Sequence, residues 1–131
     1  MTTIFLYGTL RDAELYEIVS GEALDGRPAH LADHGALNVD EGRYPCLTAM
    51  DGKTAQGLLV EVAGEALERL DFYETGFGYQ RRDVVVDVGG VQEPASVWFP
   101  PEGLEAQGDW DLPDWQEDFG PLTRETAREY M

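Results

Sequence analysis

The first hundred positions alternate between short apolar runs and stripes of helical period. Residues 2 to 7, TTIFLY, are a brief apolar run of strand formers bounded by Gly8, which predicts a buried first strand. In the stretch that follows, RDAELYEIVSG, Leu10, Leu15, Ile18 and Val19 share one helical face, and Gly21 stands just past its end as a stop signal. From Arg27 to Met50 the apolar positions scatter around His30, Leu31, Ala36, Leu37 and Val39 before the turn cluster DEGRYP, so short extended pieces are predicted there.

A clearer strand is predicted over AQGLLVEVAG, residues 55 to 64. The next segment, EALERLDFYE, carries Ala66, Leu67, Leu70 and Tyr73 as a helical stripe that ends before Gly76 and Gly78. Two strands, YQRRDVVVDV and ASVWFP, flank the hairpin signal Gly89-Gly90. Beyond Pro100-Pro101 the character changes: EGLEAQGDWDLPDWQEDFGPL predicts an irregular arm packed by Trp110 and Trp115, and TRETAREYM a short helix. That helix lacks a stop signal, as expected of a piece cut from a longer chain. Few helices and adjoining later strands place the chain in the α+β class. The expected organisation is a domain over 1–101 with an acidic, Trp-containing arm, 102–131, packed on it.

Composition narrows the function. A chain of 131 residues with 43% hydrophobic content is sized for one domain with one core. Nine Lys and Arg against 26 Asp and Glu give a net charge of -17, which repels phosphate backbones and anionic headgroups and so excludes nucleic-acid and membrane partners. With Cys46 the single cysteine there is no internal disulfide, and no basic leader or run of membrane-spanning length is present, so a cytoplasmic location is expected. Oligomeric state leaves no trace in the sequence.

Two stretches carry candidate chemistry. The Tyr7-Gly8-Thr9-Leu10 junction lacks both a Walker loop and G-x-G-x-x-G, which removes nucleotide readings. A plain turn or a cradle of backbone N–H groups for one carboxylate both fit it. In LDFYETGFGYQRR, Asp71 and Glu74 lie at i and i+3 on one helical face. A carboxyl at Glu74 walled by Phe72, Phe77 or Tyr79 would have its pKa raised towards the range useful for proton transfer, whereas an exposed terminal Glu would have no role. Cys46 reads as a buried structural thiol, and His30, Asp33 and His34 lack the further ligand that a metal site needs. Arg81 and Arg82 open a strand and are expected on opposite faces.

In order, LYGTLRD, YPCL, AQGLLVEV, LDFYE and YQRRDVVV resemble the gamma-glutamylcyclotransferase-like family over about residues 3 to 99. The resemblance implies a small mixed β-barrel with a few flanking helices. It also implies an enzyme of transferase or lyase type, acting on a small-molecule gamma-glutamyl amine or peptide. The free α-amine of the glutamyl group attacks its own side-chain carbonyl, releasing 5-oxoproline and an amine; nucleophile and electrophile share one molecule, so neither metal nor cofactor is needed. By the same resemblance Glu74 is the general acid/base; Tyr7, Gly8, Thr9 and Leu10 hold the glutamyl carboxylate and carbonyl; Tyr79 contacts substrate or shapes the wall; and Arg81 is structural. One departure concerns the loop that bears on leaving-group specificity: the family often has Gly directly after the acid, and here Thr75 precedes Gly76. The alternative expectation is a non-catalytic module that binds a small acid.

Overall fold

The computed structural model describes residues 1–101 and 103–131, and its organising element is a closed five-stranded barrel in the order β1-β3-β2-β4-β5. The strands are β1 (Thr2–Leu6), β2 (Arg27–Val39), β3 (Tyr44–Val62), β4 (Gln80–Val88) and β5 (Val91–Phe99). β1 pairs antiparallel with β3 and closes the barrel by a parallel contact with β5 at Ile4 and Ser96. The helices are α1 (Ala13–Ser20), α2 (Gly64–Thr75), α3 (Leu112–Asp118) and α4 (Gly120–Tyr130). This is the small mixed barrel with flanking helices implied by the family resemblance.

The period of two along β1 divides the core. Phe5 and Tyr7 join Leu31, Leu47, Leu59, Val86 and Val97 in a cluster fed by all five strands. Ile4 and Leu6 face the other way, with Leu15, Val19, Leu70, Trp98 and Trp115, and bury the helices against the barrel wall. Strands β1, β3 and β5 thus supply both a barrel filling and a helix-facing layer.

Helix α1 begins two residues later than the apolar stripe alone predicts. A 3-10 turn over Thr9–Arg11 comes first; Asp12 then caps α1, accepting from the Leu15 N–H at 2.9 Å. Gly21 ends the helix in the left-handed region, at φ 83°, as the stop signal predicts.

Two expectations are corrected. The scattered pieces between Arg27 and Met50 are parts of two long, continuous antiparallel strands: β2 pairs with β3 from Arg27↔Leu59 to Val39↔Tyr44. A register shift between Ala32 and His34, with Asp33 at φ 58°, breaks the alternation that would have marked one strand. The arm is also less irregular than predicted. Asp111 caps α3, accepting from the Asp114 N–H at 3.4 Å, with Pro in the first turn, and Trp115 on that helix is buried. Upstream of α3, the Asn38 N–H donates to Gly108 O and the Gln107 N–H to Asn38 O, both at 2.9 Å, which staples the arm to the end of β2. No helix among the described residues is long and apolar enough to cross a membrane.

Candidate active site

The site forms where β1 runs out. Beyond Leu6 the chain leaves the ladder at Tyr7, turns at Gly8 and enters the 3-10 turn, in which the Arg11 N–H donates to Gly8 O and the Asp12 N–H to Thr9 O. Among the described residues no protein acceptor takes the Thr9 or Leu10 N–H. Gly8 has a negative φ of -117° with ψ at -141°. A Cβ there would meet Cγ of Pro45 at 2.7 Å: the beginning of β3 presses against the turn and leaves no room for a side chain.

A cavity of about 60 Å³ opens at this junction, and its lining includes Tyr7, Gly8, Thr9, Leu10, Glu74 and Tyr79. All six residues singled out in the sequence for catalysis or substrate binding therefore lie around one space. Pro45, Tyr73, Phe77, Trp98, Arg43, Tyr44 and, from the C-terminal arm, Thr123 complete it. Phe77 and Tyr79 are the walls expected beside Glu74. Phe72 is not: it is exposed, and its ring stacks on Tyr130 at 5.0 Å outside the cavity.

Glu74 stands in the last turn of α2, where the following loop curls back onto it. The Phe77 and Tyr79 N–H groups both donate to its backbone carbonyl, at 3.0 and 3.2 Å. This fixes the helix end while leaving the carboxyl unclaimed, since no hydrogen bond to that carboxyl forms among the described residues. The residue keeps some exposure at the mouth of the cavity, yet desolvation pushes its pKa up to about 8. A carboxyl held neutral near neutral pH without a partner is poised to exchange a proton with a ligand.

The aromatic floor is kept in place by hydrogen bonds. The Tyr7 hydroxyl donates to Trp98 O at 3.2 Å, and the Tyr79 hydroxyl to Pro45 O at 3.0 Å. Burial first, and then the neighbouring Glu74 among other groups, raise both phenols above their ordinary range, so both stay neutral donors. Asp71, the other carboxylate of the i, i+3 pair, is occupied structurally: it accepts from Trp98 Nε1 at 2.9 Å and pairs with Arg81 Nε at 3.1 Å. Trp98 thereby links Tyr7 to α2, and Arg81 pairs with α2 without lining the cavity. Arg82 lies over the Phe99 ring, 4.9 Å from its centroid.

Other candidates stand apart. Cys46 is buried, with Sγ 3.6 Å from Thr48 Oγ1, and does not line the cavity. His30 lies 3.8 Å from Asp87, His34 Nδ1 bonds Ala32 O at 2.9 Å, and Asp33 accepts from the Gly52 N–H at 3.1 Å. These three do not converge, and among the described residues no group of His, Cys, Asp and Glu is arranged to hold a metal ion. Thr75 hydrogen-bonds Asp71 O through its hydroxyl at 2.6 Å and extends α2 one residue past Glu74, outside the cavity. Arg43, Tyr44 and Thr123 were invisible as site residues in the sequence, because only the closure of the barrel and the docking of α4 bring them to Glu74.

The sequence profile of the family described as gamma-glutamyl cyclotransferase, AIG2-like, matches residues 4–116. Among solved structures the fold resembles an Arabidopsis thaliana protein determined in solution, at a TM-score of 0.72 and 18% identity over 99% of this chain and 90% of that one. It also resembles a structure titled gamma-glutamyl cyclotransferase, at a TM-score of 0.71 and 16% identity over 97% and 86% of the two chains. A mouse AIG2-like protein matches at a TM-score of 0.65 and 23% identity over 85% and 88%. At these identities the likeness establishes the fold. Compared with curated protein sequences the chain has no significant match.

Proposed function

We propose, for a chain that belongs to the AIG2-like gamma-glutamyl cyclotransferase family, that it converts a small gamma-glutamyl amine or peptide to 5-oxoproline and a free amine, with Glu74 as general acid/base. The observation that carries this reading is the meeting of an unpartnered, desolvated Glu74 with the Tyr7 to Leu10 turn around a single cavity.

The steps follow from what each group can do. The substrate's α-carboxylate lies against the turn, where free N–H donors offset the repulsion of a chain carrying -17. Its α-ammonium sits at Glu74 and supplies the countercharge that burial denies the carboxyl. Glu74 takes one proton from the ammonium; the freed amine then attacks the γ-carbonyl carbon, forming the ring C–N bond. Negative charge gathers on the carbonyl oxygen, beside the turn, whose free N–H groups act as preorganised donors. As the amide C–N bond breaks, Glu74 returns that proton to the departing nitrogen and then passes on the second proton of the ring nitrogen, so the amine leaves as its ammonium and the lactam keeps one N–H. Atoms and charge balance with no other reactant.

The test is 5-oxoproline release from a panel of gamma-glutamyl amino acids, peptides and amines, comparing the native chain with Glu74→Gln. Release that falls by about a thousandfold in the variant supports the assignment. Turnover that survives the substitution removes Glu74 from the chemistry. If ligands raise the melting temperature while no member of the panel is turned over, the protein is a binding module for small acids.

A further inference from the structure

The narrow cavity at Glu74 adjoins a wider one, about 300 Å³, between the loop after α2 and helix α4. Arg43, Tyr44, Tyr73, Phe77 and Thr123 line both, so they are two parts of one trough. We propose that the wider part is the leaving-group subsite, and that it selects gamma-glutamyl conjugates of bulky apolar α-amino acids, seating the side chain on the α4 face and the α-carboxylate at Arg43. This rests on the cyclotransferase reading above.

Direction comes first. Space for a few water molecules at the turn suits the glutamyl head alone, and the rest of the substrate must leave past Glu74. A third cavity, on the far side of Tyr7, shares only that residue with the first; the trough towards α4 shares five.

Chemistry comes second. Phe77, Leu122, Tyr44 and Tyr130, all exposed large apolar side chains, line this one trough. Among the described residues no Asp or Glu lines its wider part, on a molecule of net charge -17. Concentrated apolar exposure of this kind marks a binding surface rather than chance. Its walls are aromatic and mutually braced: Tyr73 lies edge-on to Phe77 at 5.2 Å, and Tyr44 is tilted against Phe77 at 6.2 Å.

Charge comes third. Arg43 is the one cation among the described residues lining either cavity. Its guanidinium lies over the Phe119 ring, 5.4 Å from the centroid, and its ion pair with Asp40 is long, 3.7 Å, between exposed side chains. An arginine so weakly committed, beside an apolar trough, matches an α-amino acid, which brings a carboxylate and a side chain together.

The experiment measures kcat/KM for 5-oxoproline release from gamma-glutamylphenylalanine, gamma-glutamylglycine and gamma-glutamylphenethylamine. The native chain should favour phenylalanine over glycine by about tenfold or more, and over phenethylamine, which lacks the carboxylate, by about fivefold. Leu122→Asp, at a position 62% exposed where folding tolerates a change, should shrink the phenylalanine-to-glycine ratio. Arg43→Gln should shrink the phenylalanine-to-phenethylamine ratio. Equal kcat/KM for all three substrates overturns the subsite and leaves the cyclotransferase reading standing. Unchanged ratios in both variants also overturn it. No 5-oxoproline from any substrate overturns the cyclotransferase reading itself, and the subsite with it.

Discussion

Arg124 grips one carboxylate with two nitrogens: Nη2 lies 2.7 Å from Asp12 Oδ1, and Nε 2.9 Å from Oδ2. Asp12 is 3% exposed, and Gln116 Nε2 and the Leu15 N–H also bond to it. One acid therefore caps α1, immediately after the turn that lines the cavity, and anchors both arm helices. Burial would raise its pKa, but the hydrogen bonds from Arg124, Gln116 and Leu15 outweigh burial and hold it below the ordinary carboxylate value.

Removing the grip should therefore be expensive. Arg124→Ala leaves a buried, partly bonded carboxylate and should cost about 3 kcal/mol in urea unfolding. Because the folded pKa of Asp12 is depressed, its contribution is fully present above about pH 4, the unfolded value, and is lost as pH falls through the lower folded value. The native and Arg124→Ala unfolding free energies should thus converge only in acid. A loss under about 1 kcal/mol at pH 7 would show the anchor to be dispensable.

Gly8 and Pro45 make a second paired prediction. A methyl group at position 8 would sit 2.7 Å from Pro45 Cγ, so Gly8→Ala must displace either the turn or the start of β3. Displacements of this kind cost about a hundredfold in rate when they misplace reacting groups. Gly8→Ala should lower kcat/KM for 5-oxoproline release by about that factor, and Pro45→Ala in the same chain should restore part of it. A double variant as poor as Gly8→Ala would show that the contact with Pro45 is not what requires the glycine.

These examples mark what the sequence could and could not reveal. The helical stripe Ala66, Leu67, Leu70, Tyr73 and the apolar run that stops at Gly8 are local patterns, and both elements are legible because local periodicity decides them. The contact of Arg124 with Asp12 spans 112 positions and leaves no periodic trace. Helix α3 carries a start signal, Asp111 followed by Pro113, but within Gly, Pro and acids it reads equally as turn chemistry; burial of Trp115 settles it. Strand β2 was hidden by its own bulge at Asp33, which moves the later residues out of phase. Arg43 looked like part of a turn, because nothing local to DEGRYP reports the arrival of α4 beside it.

Asp71 tests whether Trp98 positions the site. Its carboxylate holds Trp98 Nε1 and Arg81 Nε together, and the Trp98 carbonyl receives the Tyr7 hydroxyl. Asp71→Ala should lower kcat by about tenfold with a smaller change in KM, because α2 and Tyr7 lose their common brace while the cavity lining is kept. Asp71→Asn, which can still accept from Trp98, should recover most of the loss. If Asn is as poor as Ala, the ion pair with Arg81 rather than the Trp98 hydrogen bond is what matters.

Glu74 should betray its role through stability as well as rate. Its folded pKa is raised to about 8, against about 4.3 for an unfolded glutamate. Between those values the folded chain binds more protons than the unfolded chain, so stability falls as pH rises through this window. The ionised carboxyl at pH 8 therefore opposes folding, by on the order of 4 kcal/mol as an upper bound. Glu74→Gln keeps the shape and removes the titration. The variant should match the native chain near pH 4 and exceed it increasingly towards pH 8, in urea titrations at each pH. The same ionisation governs catalysis: kcat/KM for the native chain should climb with pH until it levels above about 8. A residue retained at a cost in stability, whose replacement stabilises the fold while stopping turnover, marks a site tuned for proton transfer. A pH-independent difference between the two chains would mean that the carboxyl is solvated, and that proton exchange belongs to another group.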